Sequence, residues 1–317
     1  MCIRDRSFDY NATSPPSINC IRKKYYCISV RNQLLRIYTL IIRLLIYYNN
    51  RSAYYCIFYN KSSFRIKTIR THITVIKKFI HQFASPKTYL YQVNRFYPYI
   101  FYSSLVIYII SLIWGLFFTP EDFVQGNSYR IIYLHVPASF LSQSLYLAMA
   151  VASVTYLVWR VKLAAYLIIA IAPIGAMTTF IALISGSIWG IPTWGTWWQW
   201  DARITSTLIL FIMYLGLISL HNSFSNFEKA DKLTSWLVII GAVNIPIIKK
   251  SVDWWSTLHQ SASITLTEKP TIDVLMLYPL IGSIIGFLGL ITCLVLTSSK
   301  YQILIREKTK SWIRDYV

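Results

Sequence analysis

Charge is the scarcest feature of this sequence. Asp, Glu, Lys and Arg make up 14% of the 317 residues, and only 12 residues are acidic, where a soluble domain carries roughly 25% charged residues. A water-soluble globule would have to bury every long apolar run of the chain in one core, so a membrane protein is the first expectation. Cysteine is also sparse. Five are present, with no C-x-x-C pair and no C-x-x-C-H, which excludes a thioredoxin-type centre, a zinc ribbon and a c-type cytochrome. No G-x-x-x-x-G-K-[ST] occurs, so a phosphate-binding loop is absent and ATP hydrolysis would have to reside in a partner.

A net charge of +19 would suggest nucleic acid were it spread evenly. It is not. Residues 1–100 hold 17 Lys and Arg against Asp5 and Asp9, whereas residues 101–317 hold 14 against 10 acidic residues. The basicity belongs to the first third, and no nucleic-acid partner is expected. Cys2, Cys20, Cys27 and Cys56 fall there too, while Cys293 lies in an apolar run as a small packing residue. The most apolar stretch of that third, Leu34 to Tyr48, is interrupted by Arg36 and Arg43 and is too short to span comfortably. The opening Met-Cys-Ile-Arg-Asp-Arg-Ser resembles translated adaptor sequence, so residues 1–95 are expected to be a disordered or artefactual extension, with a native start nearer 80 to 95.

From there the pattern is an all-α integral membrane protein. Residues 96–317 contain six apolar segments: Tyr97 to Phe118, Tyr133 to Trp159, Leu163 to Ile188, Ile204 to Leu220, Leu233 to Ile248 and Val274 to Thr297. Each approaches the roughly 20 residues that a crossing requires. Six crossings put both termini on one side. The linkers around Arg160/Lys162 and Lys229/Lys232, with the tail Lys300, Arg306, Lys308, Lys310 and Arg314, hold nine basic residues; the other three loops hold Arg130, Arg203, Lys249, Lys250 and Lys269. The positive-inside rule therefore predicts cytoplasmic termini and three outward loops. Pro173, Pro246 and Pro279 fall inside the segments, and Gly282 and Gly286 make a small-xxx-small step, all read as helix-packing features.

The outward loop 189–203 contains Trp189, Trp194, Trp197, Trp198 and Trp200, five of the chain's 11 tryptophans within twelve residues. An interfacial belt accounts for one or two of these. A cluster punctuated by Gly190, Pro192 and Gly195 instead predicts a shaped surface for a large, flat, apolar ligand. The next outward loop adds Trp254, Trp255 and His259, and His135 stands where the first outward loop enters the second segment, just before Pro137. Either histidine alone would be an ordinary interfacial residue. Together, two outward imidazoles and an aromatic wall suit a porphyrin held by axial ligation. Asp201 and Arg203 form either a structural ion pair or, through Arg203 with help from Arg130 or Lys249/Lys250, a contact to a porphyrin carboxylate. His72, His81 and His221 are expected to be surface or capping residues.

The runs Trp-Gly-Thr-Trp-Trp-Gln-Trp-Asp-Ala-Arg at 194–203, Tyr-Leu-His-Val-Pro at 133–137 and Asp-Trp-Trp-Ser-Thr-Leu-His-Gln at 253–260 resemble the haem exporter protein C (CcmC) family of cytochrome c maturation. The likeness runs from about residue 95 to the C-terminus. It implies that haem b is held at the outer membrane face by His135 and His259 as axial ligands. Trp194, Trp197, Trp198, Trp200, Asp201, Arg203, Trp254 and Trp255 would form the platform. It also implies binding and transfer rather than catalysis. The implied acceptor is a membrane-anchored haem chaperone (CcmE), with an ATP-binding-cassette pair (CcmA and CcmB), a small single-span subunit (CcmD) and membrane lipids as partners. The implied location is a bacterial inner membrane, a mitochondrial one being the alternative. A larger haem lyase or synthase subunit with the same tryptophan motif, a bis-histidine electron carrier and a non-haem transporter are the rival readings.

Overall fold

The computed structural model describes residues 85–255, 257–259, 270 and 272–314, all within one compact unit, Thr68–Val317. Cys2, Cys20, Cys27, Cys56, His72, His81, the Leu34 to Tyr48 stretch and Lys269 lie outside them. The described residues form helices and no strand. In chain order these are α1 (Pro86–Phe117), a 3-10 turn (Asn127–Ile131), α2 (Ile132–Trp159), α3 (Lys162–Trp194), α4 (Ala202–Asn222), α5 (Phe227–Gly241), α6 (Asn244–Trp254), α7 (Val274–Arg306) and the short α8 (Ser311–Arg314). Six helical spans, with α5 and α6 together making the fifth, are long and apolar enough to cross a membrane. The chain is a multi-pass membrane protein built as a six-helix bundle.

Helix α3 is the axis. Its apolar window is 56% buried, against 17% for α1, and it packs on α2, α4 and α7. Ala164, Ala165, Ala170, Ala172, Gly175 and Ala176 are all on its buried side, because neighbouring backbones approach closely only where side chains are small. A Cβ at Gly175 would lie 2.2 Å from the Tyr214 ring of α4. Tyr214 in turn donates to the Ser142 carbonyl of α2 at 2.8 Å and meets Tyr146 edge-on, so a buried polar tip is satisfied at the centre of the core.

Helices α1 and α7 form the other tight seam. Cβ atoms at Gly282 and Gly289 would meet Ser111 and Ser104, and one at Gly286 would stand 2.7 Å from the Tyr108 Cα. The small-xxx-small step is therefore a helix contact, as expected. Because the obstacle at Gly286 is backbone, Gly286→Ala must push the helices apart, and a loss of about 1–3 kcal/mol is expected from overpacking. A drop in thermal midpoint in detergent measures it, and an unchanged midpoint would show the seam to be looser than it is drawn. Cys293 is a buried packing residue, as read from the sequence.

Four of the six spans differ from the sequence reading by more than two residues at an end: α7 runs to Arg306 rather than Thr297, and the fifth span covers Phe227–Trp254 rather than Leu233 to Ile248. Helix α1 begins at Pro86 rather than Tyr97, since proline suits a first helical turn. The fifth span is broken: α5 ends at Gly241 and α6 restarts at Asn244. Pro246 thus occupies the first turn of α6 instead of a helix interior, where its missing N–H costs least. Asn244 anchors the break by donating to the Ser206 carbonyl of α4 at 2.9 Å. Helix α3 runs past Ile188 to Trp194, so the first half of the tryptophan-rich stretch is helix. Its 33 residues reach roughly 50 Å at 1.5 Å per residue, well beyond a hydrocarbon core of about 30 Å. The helix is therefore long enough to extend past the core or to cross it tilted.

The opposite end of the bundle carries a correction. His221 is buried, not a surface or capping residue: only 6% of it is exposed. It lies 3.1 Å from Asp231, and Arg306 clamps both Asp231 oxygens, at 2.9 and 2.7 Å. The Arg306 guanidinium also reaches His221 Nε2 and lies between the Tyr166 and Phe227 rings. Tyr166 donates to Glu307 at 2.8 Å. Paired charges of this kind can be buried because each is both neutralised and hydrogen-bonded.

Candidate functional site

The ends of α1, α3 and α6 and the starts of α2, α4 and α7 meet at one pole of the bundle. The connection from α1 to α2 is pinned first. Asp122 Oδ1 accepts from the backbone N–H groups of Val124 and Gln125, and Gly126 takes a left-handed φ of 55°. Arg130 then donates to the Leu116 and Thr119 carbonyls at the C-terminus of α1, where a cation complements the helix dipole. Arg130 is committed to that cap. Lys250 likewise pairs with Asp253 at 2.9 Å on the exposed surface. Both side chains thus have partners within the protein, although Arg130 Nε is buried without one among the described residues.

His135 sits in the first turns of α2, turned toward α3. Its Nδ1 lies 3.0 Å from Ser185 Oγ, and its ring meets Trp189 edge-on with centroids 5.6 Å apart. Gly186 makes this approach possible, since a Cβ there would lie 2.9 Å from His135 Cε1. Trp189 donates its indole N–H to Gln125 at 2.8 Å, tying the first loop to the α3 end. Ser185, Gly186 and Trp189 project at i, i+1 and i+4 along one face of α3. The sequence reading placed Trp189 in a loop and did not consider Ser185, Gly186 or Gln125. The i, i+4 spacing before the loop was the available signal.

Helix α3 ends because Gly195 adopts φ +75°, a left-handed cap that favours glycine. A Cβ at Gly190 would lie 2.9 Å from the Thr196 carbonyl, so the chain can fold back on the helix only over a glycine. The turn that follows places Trp198 beside Trp197 and edge-on to Trp200. Trp197 and Trp200 are exposed, as are Trp254 and Trp255, which meet edge-on at the end of α6. The indole N–H of Trp198 is buried without a partner among the described residues, where buried donors are as a rule paired.

Asp201 is the N-cap of α4. One of its oxygens accepts from the Ile204 N–H at 2.7 Å, as aspartate does at a helix start. The other lies 3.2 Å from His259 Nδ1. His259 also packs against Trp194 with centroids 4.9 Å apart. Burial pushes its imidazole below the ordinary value, and the hydrogen bond to Asp201 works against that, so the neutral form is favoured near neutrality. His135 lies within electrostatic reach of both His259 and Arg203.

Asp201 and Arg203 form no direct ion pair. The carboxylate is taken by Ile204 and His259, and the Arg203 guanidinium has no hydrogen-bond partner among the described residues, though Asp201 and Asp253 lie in its field. The structural-pair alternative is thus not realised, and Arg203 is left as the partly buried cation of the site. The structure gathers Trp194, Trp197, Trp198, Trp200, Asp201, Arg203, Trp254 and Trp255 at the pole that holds His135 and His259.

The family model described as "Heme exporter protein C" matches residues 79–314. Proteins of that name from Escherichia coli K12 and Haemophilus influenzae are 47% and 45% identical to this chain over 241 and 237 residues, 76% and 75% of this chain and 97% and 96% of theirs. That of Bradyrhizobium diazoefficiens is 42% identical over 224 residues, 71% of this chain and 85% of its own length. Matched over residues 79–314 and at this identity to its relatives, the chain belongs to the heme exporter protein C family.

Proposed function

We propose that this protein takes part in haem export for cytochrome c maturation, binding haem b between His135 and His259 at the outer face of a bacterial inner membrane and presenting it to the haem chaperone CcmE. The observation that carries the reading is the convergence of both imidazoles on one pole, each with Nδ1 directed to an oxygen and with tryptophans around it. The site fits a porphyrin. Two nitrogen donors suit the iron, exposed indoles suit the macrocycle, and the unpaired Arg203 and the orphan Trp198 N–H suit the carboxylates. The family name supports haem as cargo.

Orientation rests on charge: the basic linkers and tail cluster at the other pole, which the positive-inside rule assigns to the cytoplasm. With no phosphate-binding loop in the chain, an ATP-binding-cassette pair (CcmA and CcmB) supplies any energy, with the small subunit CcmD beside it. The chain covers 97% and 96% of its curated relatives' length, which supports this role over that of a larger haem lyase. Presentation suits the rim position of the site. His135 lies in the first turns of its helix and His259 in a connection, so one edge of a bound porphyrin faces outward.

The test is to add haemin to the purified detergent-solubilised protein and record its visible spectrum before and after mixing with the soluble haem-chaperone domain. A six-coordinate low-spin spectrum that moves to the acceptor is expected. A folded protein that binds no haemin with or without its partner subunits would overturn the reading.

A further inference from the structure

We propose that Ser185 is a positioning residue that locks His135 in the Nδ1–H tautomer, so that Nε2 faces the haem site as a lone pair, and that Asp201 does the same for His259. The inference rests on the haem-binding reading above. In a neutral imidazole one nitrogen donates and the other accepts, and the partner of the first decides which is free to ligate.

At His259 the assignment follows from charge. Its Nδ1 lies 3.2 Å from an Asp201 carboxylate oxygen. A carboxylate only accepts, so Nδ1 carries the proton. At His135 it follows from counting hydrogens. The Ser185 hydroxyl has one, and Oγ lies 2.6 Å from the Ile181 carbonyl of its own helix, with the Ala182 carbonyl at 3.2 Å. A carbonyl cannot donate, so the hydroxyl hydrogen belongs there. The Ser185 oxygen is left as an acceptor at 3.0 Å from His135 Nδ1, and Nδ1 must donate. Gly186 completes the device. By admitting the Cε1 edge of the ring to the helix surface, it holds Nδ1 over Ser185.

Two unrelated elements thus prepare the same atom on two histidines. The supports differ in kind: a neutral hydroxyl inside a helix for His135, a helix-capping carboxylate for His259.

Histidine tautomers can be read without haem. In the full-length apoprotein labelled with 15N-histidine, the ring nitrogens of His135, assigned by its absence in His135→Ala, are expected to report Nδ1–H in wild type. In Ser185→Ala they should shift toward the Nε2–H form, and Ser185→Thr, which keeps the hydroxyl, should restore wild-type shifts. Haemin affinity of Ser185→Ala should fall about 10–100-fold, the usual cost of losing a ligand's supporting partner, with threonine again restoring it. Unchanged His135 shifts and unchanged affinity in a folded Ser185→Ala protein would overturn the proposal while leaving the haem site standing. Normal haem ligation in His135→Ala would instead overturn the reading beneath it, and the tautomer signal in the apoprotein keeps the two failures apart.

Discussion

Protein carrying His135→Ala or His259→Ala is expected to emerge from purification without the six-coordinate haem spectrum of the wild type, and the double variant should bind no haemin above a tryptophan-only background. If the two histidines ligate iron as proposed, each substitution removes a donor rather than a support, so the loss should exceed the about 10–100-fold typical of a supporting residue. Neither ring holds the fold together. His135 contacts Ser185 and Trp189 across one helix seam, and His259 leans on Asp201 and Trp194 at the rim. Both variants should therefore keep a thermal midpoint close to wild type, which separates ligand loss from unfolding. Wild-type haem binding by the double alanine variant would sink the bis-histidine site, and the tryptophans would then have to be accounted for as an interfacial belt.

The opposite result is expected at the other pole. Arg306→Ala should destabilise the protein by about 3–5 kcal/mol, since it strands a buried carboxylate, yet leave the haem spectrum of the surviving folded fraction unchanged. Arg306 has both Asp231 oxygens as partners and is itself buried, with 4% of its side chain exposed. It joins the end of α7 to α5, to His221 at the end of α4 and to Tyr166 at the start of α3. Asp231→Asn in the same chain should recover part of the loss, because the uncompensated charge goes with it, so the two substitutions should not add. Thermal unfolding in detergent reads the whole cycle. Additive single effects would mean that the contacts between these side chains contribute no coupling energy.

His221 shows how differently the sequence treats neighbours. As one histidine at the end of an apolar run, it carries no sign of its role, because Asp231 and Arg306 reach it from other helices. His135 and His259 were legible for a different reason: each lies in a short run with aromatic and turn residues, and the clustering is itself the signal. Arg203 lies between these cases. Its place beside Asp201 allowed either an ion pair or a free cation, and only the capture of Asp201 by Ile204 and His259 decided for the second.

The same division holds for the spans. Hydropathy located all six, and both ends of the second and fourth, since lipid demands about 20 apolar residues per crossing and that demand is written locally. It missed the break between α5 and α6, which depends on Asn244 finding the Ser206 carbonyl of α4. It also missed the last turns of α3, where Trp189 and Trp194 look like loop residues but continue the helix.

Sequence alone therefore determined the membrane class, the number of crossings and the clustering of tryptophans near two histidines, because composition and period act over neighbouring positions. Tertiary structure decided which nitrogen each histidine offers, which cations remain free and which polar groups are sealed in the core. Those depend on partners such as Ser185 and Asp201, distant in sequence, that come within 3.2 Å only once the helices have packed.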